Sequence, residues 1–134
     1  MNNEHITLHT QALAANPAMS FFWEATKRKV LLIPHCVDCA KTHWYPRLFC
    51  PFCFSSNLDW RESSGQATLY AATALSKSSD PYIVAYVELA EGPLMLTNLV
   101  DCEPKDLKIG APLNLSFTTM ESGHSLPVFT PNHA

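Results

Sequence analysis

Four cysteines in two close pairs, Cys36-x2-Cys39 and Cys50-x2-Cys53, constrain this chain more than any other feature. Two residues between cysteines let both sulfurs point inward from one tight turn, and two such turns facing each other make a tetrahedral cage of four sulfurs. Zinc favours that geometry, with Zn–S bonds near ~2.3 Å. The ten residues between the pairs leave room for a strand out and a strand back. Four thiolates leave no open coordination position, so a metal held here braces the fold and activates no water. Iron fits the same cage, which keeps a rubredoxin-like electron carrier beside the zinc reading. His35 abuts Cys36 and is read as pointing away from the cage.

A disulfide framework is the weaker alternative. The cysteine count is five, an odd number, and the polar start Met1-Asn2-Asn3-Glu4-His5 lacks the basic and apolar regions of a signal peptide. The expected location is therefore cytoplasmic, where thiols stay reduced. No apolar run approaches the ~20 residues a bilayer needs, so no membrane span is expected. Hydrophobic residues make up 47% of the 134, which excludes disorder over most of the chain.

Three stretches follow along the chain. Residues 1–33 read as an arm and a helix, the helix running from Pro17 to about Lys29 with Asn16 as its cap. A strand at Val30–Ile33 leads into the ribbon, residues 34–62, where strands at His43–Arg47 and Leu58–Trp60 lie around the cysteine turns. Residues 63–134 turn all-β. Tyr82, Val84 and Tyr86 alternate with Ile83, Ala85 and Val87, a period of two. Leu94, Leu96, Asn98 and Val100 share a face of the next strand, and Leu113, Leu115 and Phe117 line another. A short helix started by Pro104 and stopped by Gly110 lies between those two. With Gly65–Lys77 first and Ser125–Phe129 last, the expectation is a mainly β chain: an N-terminal helix, a rubredoxin-like zinc ribbon, then a five-stranded, partly open OB-fold barrel with a C-terminal tail.

These residues resemble the zinc-ribbon/OB-fold proteins of the DUF35 type, which accompany acyl-CoA-processing enzymes. The resemblance runs from Phe22 to Pro131. It rests on Phe22-Trp23-Glu24, on the cysteine pairs with Tyr45-Pro46-Arg47 between them, and on Gly65-Gln66-Ala67-Thr68-Leu69-Tyr70. It rests further on Gly92-Pro93-x3-Thr97-Asn98-Leu99-Val100-Asp101-Cys102-x-Pro104 and Leu107-x-Ile109-Gly110-x-Pro112. Ala40 and Phe54 stand where the family's knuckles often carry glycine, at a backbone position that tends toward positive φ.

The resemblance implies a non-catalytic subunit in a hetero-oligomer with a larger enzyme: a thiolase-like acyltransferase, a hot-dog hydratase, or an aldolase of the kind that shortens steroid side chains. It implies structural Zn2+ on Cys36, Cys39, Cys50 and Cys53, and acyl-CoA binding by ribbon and barrel in lipid metabolism.

Both modules also occur in nucleic-acid binders, and charge separates the readings. Residues 63–134 carry three lysines against seven acids, a net of −4, and residues 1–62 carry +1. A groove that tracks a phosphate backbone needs a basic stripe, so no nucleic-acid partner is expected. A CoA molecule needs only a few cations beside an apolar slot. Arg47, Lys77 and the cluster Lys27, Arg28 and Lys29 are the candidates. Phe21, Phe22 and Trp23 are candidates for a partner or acyl platform. Neighbours on a helix lie ~100° apart, so at least one of the three is expected to stay exposed, with Phe21 the first choice. Cys102 is read as a buried, inert thiol, although a helix start beside it would lower its pKa.

Overall fold

A computed structural model describes residues 19–75, 81–119 and 124–132. Asn16, Pro17 and Lys77 therefore lie outside the described residues.

Met19, Phe22, Trp23 and Thr26 recur every three or four residues, and all four are buried. That stripe defines α1, Ser20–Thr26, which is shorter than the expected 17–29. A Schellman turn ends it: Lys29 N–H donates to the Thr26 carbonyl (3.0 Å) and Val30 N–H to that of Ala25 (3.2 Å). The turn needs a left-handed residue, and Lys29 supplies it at φ 60°. The basic run Lys27–Lys29 thus follows the helix instead of forming its last turn.

In the ribbon, β1 (Leu32–Cys36) pairs antiparallel with β2 (Leu58–Glu62), from Leu32 opposite Glu62 to Cys36 opposite Leu58. The expected strand at His43–Arg47 does not form. One bridge joins His35 and Thr42, and His43 N–H reaches the Pro34 carbonyl at 3.1 Å. The chain then leaves the sheet at Trp44, where buried Pro46 has no N–H to offer a ladder.

The rest is a closed barrel of five strands in the order β3-β4-β5-β7-β6. They are β3 (Gln66–Leu75), β4 (Tyr82–Leu89), β5 (Leu94–Leu99), β6 (Pro112–Thr119) and β7 (Ser125–Pro131). Alternation fills the interior: Ile83, Ala85, Val87 and Leu89 from β4 meet Met95 and Leu99 from β5, with Leu69, Leu113, Val128 and Phe129. The face shared by Leu94, Leu96 and Asn98 is the outer one. The expected helix before β6 shrinks to a single 3-10 turn, Pro104–Asp106.

The ring closes, where a partly open barrel was expected, but one seam is thin. Strands β5 and β7 run parallel and pair only at Leu99 and Phe129. Pro127 lacks an N–H there. Bonds across the seam include Val100 N–H to the Phe129 carbonyl (2.9 Å) and the Thr97 hydroxyl to the Pro127 carbonyl (3.3 Å).

Ribbon and barrel are clamped at their junction by Glu91 in the β4–β5 turn. Its carboxylate accepts from the Ser63 hydroxyl and from the Ser64 N–H, both at 2.9 Å. Burial works to raise the Glu91 pKa, but these donors outweigh it and hold the carboxyl below its usual range. A depressed carboxyl stabilises the fold above its unfolded pKa and loses that contribution as pH falls through the folded value. Glu91→Ala is expected to cost about 1.5–3 kcal/mol at neutral pH. In urea unfolding, the gap between variant and wild type should narrow progressively as the pH is lowered below the ordinary carboxyl range.

Candidate metal centre and adjoining clefts

The two knuckles are built alike. In each, the N–H of the residue after the second cysteine donates to the carbonyl of the first: Ala40 to Cys36 and Phe54 to Cys50, both at 2.9 Å. Closing that turn requires positive φ, and Ala40 and Phe54 adopt 62° and 63°. A non-glycine residue there costs roughly 1–2 kcal/mol, so the departure noted in the sequence is a strain present twice. A hydrogen-bond bridge holds the knuckles together. Asp38 accepts from the Ser55 hydroxyl and, at 3.3 Å, from the Asn57 amide, which together keep its pKa low.

All four sulfurs lie within 4.8 Å of one another. Cys36 Sγ stands 3.6 Å from Cys53 Sγ, and Cys39 Sγ 3.7 Å from Cys50 Sγ. A tetrahedral zinc with ~2.3 Å bonds separates its sulfurs by about 3.8 Å, so the cage fits that ion. Main-chain donors already face the sulfurs: Cys39 N–H to Cys36 Sγ (3.5 Å) and Phe52 N–H to Cys50 Sγ (3.4 Å). Desolvation works to raise the Cys50 thiol, yet the N–H groups of Cys53 and Phe52 bring it down to about 7. At Cys53 the Ser55 N–H works downward, but desolvation and the neighbouring cysteines prevail and push the thiol up to about 12. A cation removes that penalty, because it makes four adjacent thiolates favourable. His35 is not part of the cage; its Nδ1 pairs with the Thr42 hydroxyl at 3.1 Å.

Two clefts flank the segment that leaves the ribbon after His43. One, of about 250 Å³, lies over the thin seam of the barrel, walled by Phe22, Trp23, Trp44 and Tyr45 against Met95 and Leu126. The Phe22 ring packs on Trp23 (centroids 4.9 Å apart) and on Trp44 (5.3 Å). The other, of about 230 Å³, is bounded by Phe21, Arg47, Leu48 and Trp60. The three helix aromatics thus divide as geometry requires: Phe22 and Trp23 are 2% and 7% exposed, and Phe21 is 67% exposed.

The basic candidates are not brought together. Arg47 borders the second cleft, whereas Lys27 is paired with Glu24 at 3.4 Å and neither Lys27 nor Arg28 lines either of these two clefts. Lys29, grouped with Lys27 and Arg28 as a phosphate candidate, instead donates from Nζ to the Ser125 hydroxyl at 2.5 Å and ties the end of α1 to β7. Sequence reasoning missed His43, which is 3% exposed with neither ring nitrogen hydrogen-bonded. Burial, with Arg47 second, lowers the His43 pKa and keeps the ring neutral. At Cys102 burial comes first, and the charges of Asp106, Asp101 and Glu103 add to it; they raise the thiol pKa where a helix start would have lowered it. The turn beside it is a single 3-10 turn, too short for a dipole to prevail.

Two family descriptions match the chain in succession: "ChsH2, rubredoxin-like zinc ribbon domain" over residues 23–59 and "ChsH2, C-terminal OB-fold domain" over residues 60–118. The chain belongs to the ChsH2 family of DUF35 proteins. The cage of Cys36, Cys39, Cys50 and Cys53 is accordingly a zinc site of the ribbon type.

A solved structure described as "Ltp2-ChsH2(DUF35) aldolase" contains a chain 34% identical to this one, with a TM-score of 0.77 over 87% of this chain and 95% of that one. A "Probable enoyl-CoA hydratase alpha subunit" of Thermomonospora curvata is 34% identical over 90% of this chain, which spans only 41% of that relative. A "DUF35 domain-containing scaffold protein" of Pyrococcus furiosus is 30% identical, over 69% of this chain and 72% of its own length.

Elemental analysis of the purified chain should find one zinc per chain and no visible absorption; iron with visible bands would restore the electron-carrier reading. Cys36→Ser should lose the metal and give unfolded or insoluble chain, whereas full metal content and an unchanged melting curve would remove the cage from the account.

Proposed function

We propose that this chain is the non-catalytic accessory subunit of an acyl-CoA-processing enzyme, with an aldolase as the first candidate partner and a thiolase-like acyltransferase or a hydratase as the others. The observation that carries the proposal is the likeness to the ChsH2 chain of the Ltp2–ChsH2 aldolase, which this chain covers almost end to end. The name of the Pyrococcus furiosus relative, a scaffold protein, supports the same role. The hydratase relative is a weaker guide, because less than half of its length corresponds to this chain. The zinc site suits a brace. With four sulfur ligands it gives substrate no coordination position.

In this role the chain supplies surface and shape to a reaction carried out elsewhere. The cleft of Phe22, Trp23, Trp44 and Tyr45 offers an apolar slot for the acyl or pantetheine part of the substrate, and Arg47 offers a cation for phosphate. Lys27, Arg28 and Lys77 remain further candidates for the phosphates.

Three measurements test the proposal. A tagged chain purified from its own cells should bring with it an acyl-CoA enzyme in fixed ratio, identified by mass spectrometry. The purified chain alone should turn over no acyl-CoA; robust thioesterase or acyltransferase activity would overturn the reading. Because Trp23 and Trp44 wall the cleft, a long-chain acyl-CoA should quench tryptophan fluorescence more than CoA itself. Equal or absent quenching would remove the slot.

A further inference from the structure

The second knuckle carries more apolar surface than the fold uses. Leu48, Phe49, Phe52 and Phe54 fall within seven consecutive residues and are 70%, 56%, 55% and 79% exposed. Phe54 is the telling case. Its backbone sits at φ 63°, where glycine is the unstrained choice, and its ring is the most exposed of the large hydrophobic side chains described. Ala40 holds the equivalent place in the first knuckle, at the same φ, with almost no side chain. A bulky ring at a strained position that it does not help to bury gives the isolated chain nothing, so its use lies outside the chain.

The charges beside this surface indicate what covers it. Lys41 Nζ lies 5.0 Å from the centre of the Phe52 ring, and Arg47 precedes Leu48. Neither has an ion-pair partner among the described residues. The nearby acids are engaged: Asp38 by Ser55 and Asn57, Asp59 by Arg61 at 3.2 Å. Two cations beside exposed rings suit one or two carboxylates on an apolar protein surface, whereas a polyanion would need a longer basic stripe.

We propose that the second knuckle, centred on Phe52 and Phe54 and edged by Lys41 and Arg47, is the face that docks the catalytic partner through an apolar groove bordered by carboxylates. The inference rests on the accessory-subunit reading above and names its docking surface.

Phe54→Gly tests it, because this substitution relieves the backbone as it removes the ring. The free variant should keep its zinc and melt at or above the wild-type temperature; a clear fall in melting temperature would make the ring structural and overturn the proposal. Against the purified enzyme that co-purifies with the wild-type chain, Phe54→Gly and Phe52→Ser should each bind at least tenfold more weakly, and Ala40→Gly should bind as wild type. Added salt should weaken the wild-type complex, and Lys41→Gln should reduce that salt dependence.

A complex that forms undiminished with Phe54→Gly would sink the docking face and leave the accessory role standing. Failure of any enzyme to bind the wild-type chain would remove both. Wild-type dimers lost in Phe54→Gly would reassign the face to a second copy, and single-stranded RNA bound through Phe54 would reassign it to nucleic acid.

Discussion

Four sulfur atoms make the ribbon possible. Strands β1 and β2 share five residue pairs, and the segment between them has only one isolated bridge to the sheet. Few side chains there are buried well enough to hold two turns in register; Cys36 and Cys50 are themselves among the most buried. Bare thiolates at such distances repel one another, and an ion among them turns the repulsion into cohesion. The donors that aim N–H groups at the sulfurs belong to the same turns, so sulfur placement and backbone conformation are one problem with one solution.

What the ion fixes at one end, α1 carries to the other. Phe22 touches Trp44 from the ribbon side, and Met19 and Trp23 join the buried cluster of the barrel. Lys29 and Thr26 reach Ser125 at the start of β7, Thr26 by accepting its N–H at 3.2 Å. At a second place Glu91 grips Ser63 and Ser64. Ribbon and barrel are therefore held at two separate places, by apolar packing at one and a half-buried, hydrogen-bonded carboxylate at the other. A subunit that presents surface to another protein benefits from such a fixed angle, because little ordering remains to be done on association.

The chain disclosed its architecture readily and its junctions poorly. Cysteine spacing is a local signal, and so is strand alternation; both survive without knowledge of the partner strand, and the cage and the barrel strands were legible from them. Phe21, Phe22 and Trp23 could be divided into exposed and buried because helical geometry alone demands it. Most of the failures are non-local. The segment after His43 has strand-like residues, yet buried Pro46 and the pull of Trp44 toward Phe22 take it out of the sheet. The helix was drawn too long because a lysine, not a glycine, ends it in left-handed conformation. His43 and Glu91 gave no signal, since their roles depend on what folds over them from distant sequence. Arg47, Lys27 and Arg28 were grouped by charge, and a list of charges carries no distances.

The thin seam gives the barrel a mechanical asymmetry. Elsewhere the staves are stitched by ladders of three or more residue pairs, but β5 and β7 meet at one pair, and the cleft of aromatic and sulfur-bearing side chains lies across that gap. Apolar contacts can be exchanged for other apolar contacts at small loss, whereas a ladder bond broken without replacement is expensive. A flat or flexible guest could enter there as a wedge does along the grain of wood, parting side chains and leaving the hoops intact.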